Sequence, residues 1–185
     1  MSVWTLDPAH SQIEFAVKHM MITTVRGQFR KFTVEVDFDE KQPERSTVVA
    51  HIDSSSIDTG MEARDAHLRS ADFFDAEKFP ELTFRSSRIE AAGDGYEILG
   101  DLTIHGETRP VTLAAEIGGV VANLQGGRRA AFDATTKISR KAYGLNWNVA
   151  LESGGFLVGD EIKISIDLAV LQAEAAAAEV AVTVA

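Results

Sequence analysis

The stretch from Ser54 to Phe84, SSSIDTGMEARDAHLRSADFFDAEKFPELTF, decides the reading of the fold, because it puts a helical period into a chain whose apolar residues mostly recur at every second position. Within it, Met61 to Ala71 loses that alternation and places Ala63, Ala66, His67 and Leu68 at helical offsets, so the spacing predicts one short helix. Thr59 stands where a capping oxygen is needed, and Glu62 and Asp65 lie near the positive end of the helix dipole. Phe73 and Phe74 follow, and Phe79-Pro80 ends any continuation, since the residue before proline is pushed away from helical angles. Two large rings leaving a helix together are expected to plug an opening.

Working outward, both flanks read as strands. Ile13, Phe15 and Val17 alternate with Glu14 and Lys18; Phe29 to Phe38 reads as one regular strand; Val48, Ala50 and Ile52 lead into the insert. After it come Leu82 and Phe84 running toward Ile89, an Asp-Gly hairpin signal at Ala91 to Gly95, and Tyr96, Ile98, Leu102 and Ile104 on one face. Gly106 to Pro110 reads as a turn, Val111 to Ile117 as a strand ending before Gly118-Gly119, and Ala130 to Ile138 as another. Ser139 to Gly155 has no clear period, with Tyr143 and Trp147 its conspicuous rings, and Val158 to Val170 is a long strand. The alanine-rich end, residues 173–185, reads as an appended tail to a domain spanning 1–172. So many half-apolar strands at hairpin spacing predict an all-β, antiparallel sheet, which removes its sticky edges best by closing into a barrel; a sandwich is the competing architecture.

Bulk properties narrow the function. At 185 residues, with 45% hydrophobic and 25% charged residues, the chain suits one globular domain, and its longest apolar runs are too short for a membrane-spanning helix. A net charge of -10 argues against nucleic acid and anionic membrane surfaces as partners, and Arg128-Arg129 and Arg140-Lys141 read as solvated strand ends. With no cysteine and no recognisable secretory signal at the N-terminus, a cytoplasmic location is expected. His10, His19, His51, His67 and His105 lack zinc-binding spacings, and no cofactor fingerprint is present. Asp65 and His67, within one helical turn, are the single candidate acid-base pair, set against a purely structural role at the barrel rim.

Seven segments in order carry a further signal: LDPAHSQIEFAVKHM at Leu6 to Met20, GQF at Gly27 to Phe29, SSIDTG at Ser55 to Gly60, RDAHLRSADFFD at Arg64 to Asp75, FPELTF at Phe79 to Phe84, GDLTIHGETRPVTL at Gly100 to Leu113 and LVGDEIKISIDL at Leu157 to Leu168. Together they resemble the YceI-like family of lipocalin-like polyisoprenoid-binding proteins. The resemblance implies an extended antiparallel β-barrel with a helical insert, a lumen holding a polyisoprenoid or other long-chain lipid, and frequently a homodimer. Many such relatives carry a secretion signal and work in the periplasm, a pattern this sequence departs from. Alternation predicts that Phe15, Val17, Phe32, Val34, Phe84, Leu102, Ile104 and Phe132 face the lumen, with Phe73, Phe74 and Trp147 near its mouth. A one-residue bulge would invert such an assignment locally. Two other functions compete: an enzyme acting on a lipid-like substrate through Asp65 and His67, and a stress-related protein acting through a partner surface.

Overall fold

A computed structural model describes residues 4–124 and 126–172, so the alanine-rich end lies outside the described residues. The strands are β1 (Trp4–Leu6), β2 (Gln12–His19), β3 (Thr23–Phe29), β4 (Phe32–Asp37), β5 (Thr47–Asp53), β6 (Ile57–Asp58), β7 (Glu81–Ala92), β8 (Gly95–Ile104), β9 (Glu107–Ala122), β10 (Arg128–Ser139) and β11 (Val158–Gln172), and one helix, α1 (Glu62–Arg69), lies between β6 and β7. Eight strands close a ring in the order β1-β4-β5-β7-β8-β9-β10-β11, with β11 pairing back onto β1, so hydrogen bonding leaves no free edge along that circuit. At 15 residues β11 spans about 50 Å, which makes the barrel an elongated one.

Three of the staves are broken. β1 and β2 lie end to end along β11, with Leu6 opposite Val170 and Ile13 opposite Ile166. β3 and β4 lie end to end along them, and β5 and β6 along those in turn. The breaks fall at Asp7–Ser11, Arg30–Lys31 and Ser54–Ser56, and each changes which parity of residue faces inward. Phe29 and Phe32 both pack inward although three residues apart, which an unbroken strand forbids. The expected single strand over Phe29–Phe38 is therefore two: Phe29 ends a strand that begins at Thr23, and Phe32 opens the next. The chain is held through this break by the Arg30 amide on the Ser56 carbonyl (3.1 Å), the Lys31 amide on Ser56 Oγ (3.0 Å) and the Asp53 amide on the Lys31 carbonyl (3.0 Å).

Bulges make the same adjustment elsewhere. Leu82 and Phe84 point inward on even numbers and Ile89 on an odd one, because the β7–β8 register shifts between Ser86 and Arg88. β9 does not end at Ile117: it passes Gly118 as a bulge, with Phe132 opposite Ile117 and Ala131 opposite Gly119, and runs to Ala122. The turn expected at Gly106 to Pro110 is the tight pair His105-Gly106, both at positive φ (54° and 78°), and Pro110 lies inside β9 opposite Asp101.

The helix is one turn shorter than its pattern and starts differently. Met61 occupies the N-cap position, and no side chain bonds the first turn as a cap. Thr59 is engaged elsewhere: its amide and hydroxyl donate to the Asp65 carboxylate at 2.9 and 2.5 Å, while Arg64 donates to Thr59 Oγ1 (2.7 Å) and to its carbonyl (2.9 Å). These bonds fasten the start of α1 to the end of β6.

Candidate functional site

Because every stave presents an apolar row inward, the barrel interior is overwhelmingly hydrocarbon, and it is not filled. A cavity of about 240 Å³ remains, bordered by side chains from both ends of the barrel and by the insert. Along β11, Ile162, Ile164, Ile166 and Leu168 line it and keep part of their surface accessible, as side chains facing a void do. At one end, Trp4 meets Phe38 (ring centroids 5.8 Å apart) and Phe38 meets Phe132 (5.0 Å), both edge-on, in the geometry aromatic quadrupoles favour. At the other end the insert closes the space: Phe74 abuts Phe29 (5.8 Å), which abuts Phe15 (5.9 Å), and buried Phe73 is backed by Trp147 (5.3 Å) and His67 (5.1 Å).

A YceI-like domain profile matches residues 4–170. UPF0312 proteins of Staphylococcus aureus and Staphylococcus epidermidis are 39% and 40% identical over 164 residues, covering 88% of this chain and 94% of theirs. The chain belongs to the YceI-like family. Among solved structures, it is similar to BcnA of Burkholderia cenocepacia (TM-score 0.78, 29% identity, 89% of this chain and 98% of that one) and to the Campylobacter jejuni YCEI protein (0.71, 30%, 95% and 100%). A polyisoprenoid binding domain from Saccharophagus degradans shares the fold at TM-score 0.61 and 15% identity, over 93% of this chain and 99% of its own.

Of the residues singled out by alternation in this YceI-like chain, Phe15, Val17, Val34, Phe84, Leu102, Ile104 and Phe132 border the cavity, as do Phe73 and Phe74 from the insert. Phe32 does not. It opens β4 beside the strand break and packs half-buried against the core, outside the cavity wall. Trp147 stands in an outer layer, its ring against Phe73 and His67. Two glycines shape the wall: a Cβ on Gly27 would lie 2.5 Å from the Phe15 ring, and one on Gly100 2.6 Å from the Phe84 ring, so both rings lie over backbone that only glycine leaves bare.

Asp65 and His67 are not brought together as an acid-base pair. Asp65 is buried and its carboxylate is taken by Thr59, whereas His67 bonds Asp72 through Nε2 (2.8 Å) and packs edge-on against Trp147 (4.7 Å). Their arrangement secures α1 and its two phenylalanines. No helix among the described residues is long and apolar enough to cross a membrane.

The irregular region after β10 holds three wall residues, Arg140, Tyr143 and Leu145, that the alternation could not reveal. Arg140, expected to be solvated, is 4% exposed: Nε donates to the Gly159 carbonyl (2.8 Å), one terminal nitrogen to Leu145 (2.7 Å) and Trp147 (2.9 Å), and the other to Val158 (3.2 Å). Burial draws the guanidinium below its ordinary value, opposed by Asp160, whose carboxylate is itself bonded to Ser139 and the Lys141 amide. One side chain thus staples the 140–147 segment to β11. Tyr143, three residues on, is 2% exposed and borders the cavity, and burial raises its phenol above the ordinary value.

Proposed function

We propose that this protein holds a long apolar lipid, a polyisoprenoid, an isoprenoid quinone or a similar chain, in the barrel lumen, for storage, transport or sensing. The observation that carries the reading is the unfilled hydrocarbon interior of a closed barrel. The likeness to a polyisoprenoid binding domain and the membership of the YceI-like family support it. Magnitude sharpens the ligand. A dry apolar cavity of about 150 Å³ accepts benzene, so by proportion the space here encloses on the order of ten carbon atoms, or about two prenyl units. Each unit contributes roughly 4 kcal/mol gross at about 0.8 kcal/mol per buried carbon group, against about 4–15 kcal/mol lost on association. Tight binding therefore needs a chain longer than the void, one that moves half-buried rings such as Phe15 and Phe74 at the insert end.

Mass spectrometry of an organic extract of the purified protein tests the reading, with a lumen-filling variant as control. Ala134 faces Ala115 across β9 and β10, and both border the cavity. Ala134→Phe is expected to keep the barrel's cooperative unfolding while abolishing lipid copurification. A wild-type protein that carries no lipid and takes up no prenyl probe would overturn it. The same reading includes a homodimer, for which Met21, Ile22 and Phe156 offer exposed apolar surface, and a cytoplasmic location, in keeping with the absence of cysteine. Light scattering and cell fractionation check these two points.

A further inference from the structure

Polar side chains bordering the lumen are few, and nearly all are engaged. Ser46 accepts from the Asp39 amide (2.9 Å), Thr136 donates to the Thr112 carbonyl (2.8 Å), and Arg140 donates to its four carbonyls. Glu14, Glu116 and Asp133 stand exposed on the outer side of their strands. The exception is Tyr143, a residue that borders the cavity and whose buried hydroxyl meets no protein partner; no other buried side-chain nitrogen or oxygen among the described residues is left in that condition. A buried hydroxyl without a partner is costly, and such groups in native proteins have a reason. Packing alone would be served as well by phenylalanine.

The position of this hydroxyl is fixed with some care. Arg140 holds the carbonyls of Leu145 and Trp147, which follow Tyr143 in the chain, and Arg109 donates to the carbonyl of Ala142, which precedes it, at 3.1 Å. Burial also keeps the phenol protonated, and so a donor.

We propose that Tyr143 is the polar subsite of the lumen, donating its O–H to an uncharged acceptor oxygen (a ketone, quinone, ester or amide carbonyl) at one end of the lipid, whose apolar chain runs on toward Phe38 and Phe132. This inference rests on the lipid-binding reading and adds to it a headgroup class and an orientation. A phosphate or carboxylate fits poorly: the buried Arg140 in the wall is committed to carbonyls, and Arg109, the cation whose charge reaches the phenol, stands half-exposed and is already engaged with the Ala142 carbonyl, so an anion drawn into the lumen would lack a buried counter-charge.

Tyr143→Phe tests it, with farnesylacetone as the acceptor-ended probe and farnesene as the hydrocarbon, each titrated into the purified full chain by intrinsic fluorescence and the ligand-free melting temperature recorded. The variant is expected to melt no lower than wild type, to bind the ketone about five- to tenfold more weakly, and to bind the hydrocarbon unchanged. Equal affinity of variant and wild type for both probes would mean that solvent is the phenol's partner, and would overturn the proposal. So would an equal loss for both probes, which would reduce the residue to packing, or a lowered melting temperature, which would give the hydroxyl a structural bond. If wild type binds neither probe, the lipid-binding reading falls as well, an outcome distinct from all of these because the hydrocarbon then fails too.

Discussion

Asp7 shows how much one buried carboxylate does where a strand is broken. It is 7% exposed, at the corner between β1 and β2, and accepts from the Ala9 amide (3.1 Å), pairs with His10 (2.9 Å) and takes Arg129 of β10 (2.8 Å). Burial by itself pushes its pKa upward, but the His10 and Ala9 bonds and the two neighbouring cations outweigh it, so the carboxyl sits below its ordinary value of 3.8. A depressed folded-state value stabilises the fold above the unfolded value, and that contribution is lost as pH falls below about 3.8 through the folded one. Asp7→Asn is therefore expected to lower stability at pH 7 by about 1–2 kcal/mol, with the wild-type and variant curves converging as the pH drops toward the folded-state value. Urea unfolding at a series of pH values measures this; a constant gap down to the lowest pH would assign the loss to shape instead of charge.

At the scale of elements, the insert matters as a plug hung from a small polar clamp. Asp65 takes two donors from Thr59, and Ser54, fully buried, ties the far end by donating Oγ to the Phe79 carbonyl (2.8 Å) and its amide to Pro80 (2.9 Å). Asp65→Asn removes the charge from those bonds and is expected to cost about 1–3 kcal/mol, concentrated in α1. Hydrogen exchange at residues 62–69 should accelerate and bound lipid should leave faster, while β7 to β11 keep their protection; uniform loss of protection would make the clamp a part of the barrel proper. The helix was legible in the sequence because its period differed from that of its flanks, and the barrel because its strands repeat one apolar face. The clamp was less so: Thr59 reads as a cap until geometry gives its hydroxyl to a side chain six residues on. The strand break at Arg30–Lys31 was not legible: Phe29 to Phe38 reads as one regular strand, and nothing in the residue types shows that Phe29 and Phe32 both turn inward. Arg140 was unreadable, because its partners are carbonyls that any sequence would supply.

For the molecule as a whole, the question is how a void for about ten carbons serves a longer guest. The first two prenyl units enter existing space, and each should add close to its full gross contribution of about 4 kcal/mol. The third must displace side chains packed to protein density, which subtracts about 1–3 kcal/mol. A plot of binding free energy against prenyl number for a series of neutral prenyl ketones is thus expected to rise steeply and to bend between two and three units. Filling the lumen moves that limit inward: a phenylalanine ring at Ala134 takes up a volume comparable to benzene, more than half of the 240 Å³, so in Ala134→Phe the bend should come at one unit or binding should vanish. Calorimetric titration of both proteins with the same series gives the two curves. A straight wild-type line through long chains would mean that the insert swings aside as one body instead of yielding ring by ring, and the Asp65→Asn variant, with its plug already loosened, should then bind long chains fastest.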